Sequence, residues 1–197
     1  MSISVCKATG VDLAEVSETL AQAFFEDPVI SWWIPEDHRR KAILPEFFRV
    51  VGETTLPKEE LYRSADGAGA AIWMPPGGQP SEEEMSELAP RLGEATAEYA
   101  NALFEFLEIM DAKHPNEAHF YLFLLGTRPP QQSKGIGSAL LRAVLDGCDE
   151  TGTPAYLEAT SEGNKRLYLR HGFEVTDEIH LRDSPTVWCM WRTPQRQ

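Results

Sequence analysis

The sequence predicts an α/β protein built on a twisted mixed β-sheet, with helices on both faces and a helical insertion before the central strand. Three stretches carry that prediction. Residues 119–145 read as a nearly continuous apolar strand, a glycine-bearing loop and a helix, with Ile136, Leu140, Leu141, Val144 and Leu145 recurring on one helical face. Residues 154–172 repeat the order. There Ala155, Leu157 and Ala159 alternate with Tyr156, Glu158 and Thr160, and the strand runs through Ser161, a good N-cap, into a helix that Gly172 closes. Between residues 81 and 113, Leu88, Leu92, Ala95, Tyr99, Leu103, Phe106 and Met110 recur at steps of four and three, as one face of a long helix does.

The remaining elements follow in chain order. Ile3 to Ala8 reads as a short first strand. Asp12 with Glu15 three residues on is a capping-box arrangement, and Leu13, Val16, Leu20 and Phe24 form the apolar stripe of a helix ending near Asp27-Pro28. Val29 to Pro35 is an aromatic connection bounded by prolines, where Trp32 and Trp33 either wall a pocket or plug the core beneath a loop. A second helix is expected from Asp37 to about Val51, burying Ile43, Leu44, Phe47, Phe48 and Val51. Leu61 to Arg63 and Gly69 to Met74 flank Asp66-Gly67, a hairpin signature, and Pro75-Pro76-Gly77-Gly78 ends that part of the sheet. Ser81 and Glu84 make another capping box, and Pro90 should break or kink the helix that follows, leaving a short piece and a longer one that stops before Pro115. The acidic residues of this stretch lie mostly off its apolar stripe, as a solvated face does. Phe173 to Leu181 and Thr186 to Trp191 should form a final antiparallel pair, joined through Arg182-Asp183-Ser184-Pro185, with Thr193 to Gln197 as a frayed tail. No linker interrupts the chain, so residues 1–197 are expected to form one domain.

Composition narrows the function. The chain of 197 residues carries 31 acidic against 18 basic residues, a formal charge of −13, which disfavours nucleic-acid binding and suits a cationic partner. Cys6, Cys148 and Cys189 form neither a C-x-x-C pair nor an even set, so no metal site or disulfide framework is expected, and a reducing cytoplasm is the natural setting. No apolar run reaches the roughly 18 residues of a membrane span, so no membrane partner is expected.

The loop at Gln132-Ser133-Lys134-Gly135-Ile136-Gly137 lies where a helix must begin. Backbone N–H groups there are unpaired and the helix dipole is positive, so the loop suits a phosphate or pyrophosphate. A Walker loop needs Lys and Ser or Thr after its last glycine, whereas Lys134 precedes Gly135. A dinucleotide fingerprint needs a third glycine, where Leu140 stands. Gln132-x-x-Gly135-x-Gly137 after a strand resembles the acyl-CoA pyrophosphate loop of the GNAT superfamily of N-acetyltransferases. The order Leu157-Glu158, then Asn164, Tyr168 and Gly172-Phe173 is similar to the second half of that superfamily's core. Within it, Pro154 to Thr160, Leu167 to Phe173, Thr186 to Met190, Ala70 to Trp73 and Leu20 to Phe24 look like the corresponding pieces of puromycin N-acetyltransferase and its bacterial relatives. Thr127 and Ser133 depart from that pattern, which usually has Val and Gly, and the first half diverges most.

The resemblance implies a GNAT-like fold and acetyl-CoA as the acetyl donor. It places the backbone of Leu125, Gly126 and Thr127 along the pantetheine arm and Gln132, Ser133, Lys134, Gly135, Ile136, Gly137 and Ser138 around the pyrophosphate, with Asn164 orienting the cofactor. Tyr168 is the candidate general acid, since a phenol with an ordinary pKa of about 10 stays protonated and can donate to a departing thiolate, although a helix Tyr also serves as plain packing. Glu158 is either a general base or a structural carboxylate. Asp27, Trp32, Trp73 and His119 are candidate acceptor contacts, each with a plain structural alternative: helix-end Asp, core tryptophans, strand-start His. The expected activity is acetyl transfer to the amine of a small molecule, with an antibiotic-like acceptor in view. Peptide or protein amines and a non-catalytic acyl-CoA sensor are the alternatives, and a monomer or homodimer is expected.

Overall fold

The structure, a computed structural model, describes residues 3–180 and 183–195. In chain order the elements are β1 (Val5–Lys7), α1 (Leu13–Phe24), α2 (Pro28–Trp33), α3 (Asp37–Thr55), β2 (Leu61–Ser64), β3 (Gly69–Met74), α4 (Glu82–Thr96), α5 (Ala100–Lys113), β4 (Phe120–Thr127), α6 (Ile136–Thr151), β5 (Ala155–Ala159), α7 (Glu162–Arg170), β6 (Glu174–Ile179) and β7 (Val187–Arg192). The seven strands form one sheet in the order β1-β2-β3-β4-β5-β7-β6. Only the β4–β5 pairing is parallel.

Strand alternation divides the core into two layers. On β3, Ala70 and Ile72 face a cluster containing Val16 and Leu20 of α1 and Phe47 and Phe48 of α3, while Ala71 and Trp73 face Leu140, Leu141 and Val144 of α6. Ala155, Leu157 and Ala159 of β5 join the α6 layer, which leaves Tyr156, Glu158 and Thr160 on the opposite face, as their alternation predicts. Helices therefore cover both faces of a mixed sheet, and no described helix is long and apolar enough to cross a membrane.

Four elements differ from expectation for physical reasons. Val29 to Trp33 is helical: the Asp27 carboxylate accepts from the Val29 and Ile30 N–H groups at 2.9 and 3.2 Å, and Pro28 sits at the first helical position, so Asp27-Pro28 starts a helix where it was expected to end one. Asp12 does not form the expected box with Glu15. Its carboxylate instead accepts from the Thr9 N–H and hydroxyl, both at 2.8 Å, and Glu15 pairs with Arg63 at 3.1 Å. α3 runs four residues past Val51, to Thr55. Pro90 does not break α4. It lies on the exposed side, so the Ser86 carbonyl that loses its donor is left to water, and the chain breaks instead at Ala97, where φ is 50°. β6 ends at Ile179, and Leu181 and Arg182 of the expected strand and its connection lie outside the described residues. Arg196 and Gln197 of the expected tail do as well.

Candidate active site

The parallel pair at the centre of the sheet opens along its length. β4 and β5 register only at Phe120, Tyr121 and Leu122 against Ala155, Tyr156 and Leu157. On its other edge β4 holds one residue too many: Ile72 pairs with Leu124 and Trp73 with Leu122, so Phe123 is a β-bulge. A bulge bends and twists its strand, and here it turns the second half of β4 away from β5. Phe123 has no strand partner among the described residues, and from Leu124 to Thr127 β4 pairs on the β3 side alone.

The opening is a cleft of about 430 Å³ lined by Leu125, Gly126 and Thr127 of β4 and by Gln132, Ser133, Gly135 and Ile136 of the loop. Gly137 and Ser138 of α6, with Asn164 of α7, complete it. Gly135 caps α6 at φ 88°, a backbone shape that favours glycine, and Ser133 takes φ 62° two residues earlier. Left-handed residues in such a loop can turn N–H groups into a concavity, and these two lie next to the unpaired donors at the start of α6. The Gln132 side chain donates to the Thr127 carbonyl at 3.2 Å and ties the loop to the strand. Gly126 is required for another reason: a Cβ there would stand 2.8 Å from the Ala23 Cβ and 3.0 Å from Leu20 Cδ2, so α1 could not lie against this part of β4. Lys134 does not line the cleft; its ammonium donates to Gln131 Oε1 at 2.9 Å.

A second, drier pocket of about 110 Å³ adjoins the first and shares Phe24, Asp27, Leu125 and Asn164 with it. Its walls are Phe24, Trp33, Phe47, Phe48, Phe106 and Phe123, from five separate elements. The rings brace one another, with centroids 5.4 Å apart for Phe24–Phe48, 5.3 Å for Trp33–Phe47 and 5.1 Å for Phe47–Phe48. The Trp33 indole N–H is spent on the Tyr99 carbonyl at 3.0 Å.

Few polar groups enter this pocket, and burial shifts the titration of three of them. Burial pushes the Glu158 carboxyl up to about 7, although the Tyr121 hydroxyl favours its anion. One Glu158 oxygen and the Tyr156 hydroxyl have no hydrogen-bond partner among the described residues. Asp27 is also raised by burial, against the Thr160 hydroxyl at 2.5 Å and the Ile30 and Val29 N–H groups, which favour its charge. Tyr168 is 5% exposed, and burial, then the nearby Asp27, holds its phenol above the ordinary range and hence protonated.

The other three proposed contacts lie elsewhere. Trp73 is fully buried in the α6 layer and touches neither pocket. Trp32 packs beside the α1–α3 core, and its neighbour Trp33 is the one that reaches the pocket. His119 lines a separate groove, where Nδ1 is 2.5 Å from the Glu117 carbonyl and Nε2 is 3.1 Å from Nε2 of His114. His114 is driven down to about 4 by burial and then by His119. Phe47, Phe48, Phe106 and Phe123 were legible only as core positions, because nothing in helical or strand periodicity tells a core face from a pocket wall.

The profile of the acetyltransferase (GNAT) family matches residues 60–173. An uncharacterized N-acetyltransferase of Schizosaccharomyces pombe is 27% identical over 192 residues, spanning 89% of this chain and 76% of its own length. Among solved structures, a Corynebacterium glutamicum protein named as histone acetyltransferase HPA2 and related acetyltransferase is similar at 26% identity and a TM-score of 0.67, covering 100% of this chain and 99% of its own. Arylalkylamine N-acetyltransferase 2 of Aedes aegypti shares the fold at 17% identity with a TM-score of 0.71, covering 99% of this chain and 100% of its own.

Proposed function

The chain belongs to the acetyltransferase (GNAT) family, whose members generally take their acetyl group from acetyl-CoA, and on that premise we propose that it acetylates the primary amine of a small molecule with an apolar, preferably aromatic, body. The observation that carries this reading is the pairing of a ring-walled pocket with a single deeply set carboxylate, Glu158, that titrates near neutrality. The rings exclude water and match an apolar body, while Glu158 and Asp27 are the two carboxylates that meet an ammonium head.

The cleft fits the donor by its own shape. Its phosphate end is a concavity of N–H groups at the start of α6, and its other end is an unpaired strand edge, Phe123 to Thr127, that suits the amide-bearing pantetheine arm. Bound acetyl-CoA supplies an activated acyl group as a thioester. Asn164 and Leu125 line both pockets, so donor and acceptor meet beside them. Glu158 removes a proton from the ammonium and leaves a neutral, nucleophilic amine. Backbone N–H groups of β4 beyond Leu122, which have no β5 partner, would stabilise the carbonyl oxygen as it gains charge. Tyr168, kept protonated, would give its hydroxyl proton to the departing sulfur, and its phenolate would take up the second proton that the nitrogen loses as the amide forms.

The small volume favours an amine of modest size over an aminonucleoside antibiotic or a peptide chain. Release of CoA measured over a panel of amines tests the reading. Arylalkyl and branched alkyl amines are expected to be turned over with a higher kcat/KM than diamines and polyamines. Preference for the polycations, or no acetylation of any amine by a protein that binds acetyl-CoA, overturns it.

A further inference from the structure

A third groove, of about 430 Å³, continues the donor cleft between α6 and the end of α7 and shares Ser138 and Arg170 with it. Arg142, Arg170, His171 and Arg192 line it in a chain whose net charge is −13. Arg192 is already engaged: its Nη groups donate to both Asp149 oxygens at 2.8 and 2.7 Å, and its Nε donates to the His171 carbonyl at 2.8 Å. Arg142 and Arg170 are exposed and, like Arg128 and Arg166, have no ion pair among the described residues, whereas Arg39, Arg40, Arg49, Arg63 and Arg91 each have at least one. His171 reports the local field: burial first, then Arg142, Arg170 and Arg192, hold its imidazole below the ordinary value, and its Nε2 lies 3.0 Å from the Ser138 hydroxyl. Asp146 is the carboxylate of the groove with no arginine on it among the described residues.

The spacing selects a ligand. Ser138 belongs to the pyrophosphate loop, and Arg142 lies four residues further along α6, roughly 6 Å at the helical rise. A second phosphate held by Arg142 and Arg170 would therefore stand about one sugar ring away from a diphosphate at the loop. We propose that this groove receives the 3′-phosphate at the nucleotide end of acetyl-CoA, with Arg142 and Arg170 as its anion-binding side chains. The inference rests on the reading of the neighbouring cleft as the acetyl-CoA site, and it adds a contact that separates CoA from the otherwise identical 3′-dephospho-CoA. Charge-assisted bonds from two guanidinium groups to a phosphate dianion supply the discrimination, and their exposure makes it sensitive to salt.

Calorimetric titration of the intact protein with CoA and with 3′-dephospho-CoA tests this without an acceptor. CoA is expected to bind about tenfold more tightly at low ionic strength, equivalent to ~1.4 kcal/mol. Raising the salt should shrink the ratio. The double variant Arg142→Ala/Arg170→Ala should bring it close to one, whereas Arg166→Ala, an exposed arginine of α7 outside the groove, should keep it. Equal affinity of the native protein for the two ligands overturns the subsite while leaving the acetyl-CoA cleft in place. A ratio that survives the double variant does the same. Failure of both ligands to bind overturns the reading of the cleft itself and the subsite with it.

Discussion

The proposed donor cleft and the proposed acceptor pocket meet at Phe24, Asp27, Leu125 and Asn164, yet they are made of different material. The donor side is largely main chain: an unpaired strand edge, a loop with two left-handed residues and the first turn of a helix. The acceptor side is almost all side chain, with rings contributed by α1, α2, α3, α5 and β4 around two carboxylates and a phenol. A backbone site tolerates sequence change as long as the chain can take its shape, so it holds one ligand in place across a family. A side-chain site changes its ligand with each substitution. On the proposed reading, the contrast sets a donor site made mostly of main chain against an acceptor site made mostly of side chains.

The largest effect should come from the phenol of the ring-walled pocket. Tyr168→Phe is expected to lower kcat by roughly 10²–10⁴ while the KM for acetyl-CoA stays within about twofold, as loss of a general acid would give. Equal changes in both constants would make Tyr168 a packing residue and blur the division. Glu158→Gln should lower kcat/KM by about 10²-fold and remove the limb of the pH–rate profile near 7, because the base is active only above its pKa. The same residue sets a stability trend of definite sign. Its folded pKa is raised, so between the unfolded value of about 4.5 and about 7 the native state holds more protons, and stability falls as pH rises through that window. At pH 8 the Gln variant should therefore be more stable than the native protein by on the order of 2 kcal/mol, measured by urea unfolding, and the difference should vanish near pH 4.

Two smaller perturbations address one side each. Gly135→Ala places a Cβ on a residue at φ 88° and should cost about 1–2 kcal/mol of loop stability, seen as a roughly tenfold rise in the KM for acetyl-CoA with kcat little changed. Phe106→Ala should raise the KM for arylalkyl amines several-fold and leave that for small alkyl amines and for acetyl-CoA alone. A donor-side effect of Phe106 would show that the two pockets are not separable.

The same division explains what the sequence disclosed. The alternation of Ala155 to Thr160, the order Asn164, Tyr168, Gly172 and the glycines at 135 and 137 are local signals, each fixed by a backbone requirement within a few residues; Gly135, Gly137 and Asn164 line the larger cleft, and Glu158, Thr160, Asn164 and Tyr168 line the smaller pocket beside it. The acceptor pocket joins Phe24 to Phe106 and Phe123, residues distant in the chain whose meeting depends on the whole fold. The Pro90 break and the Val29 to Pro35 loop failed for a related reason: a proline marks a possible boundary, and only the solvent exposure of Pro90 and the Asp27 cap decide whether it ends a helix or starts one. Trp73 points into the α6 core because β3 is covered on both faces, so being aromatic near a strand end carried no information about solvent.

The bulge at Phe123 has a mechanical cost that falls on the whole molecule. Among the described residues, three residue pairs are the only strand seam between the β1-to-β4 half of the sheet and the β5-to-β6 half. A donor laid along the open edge works as a missing strand and laces the two halves together, so thermal endurance should rise and fall with the supply of that nucleotide: starved of it, the fold would first come apart down the middle.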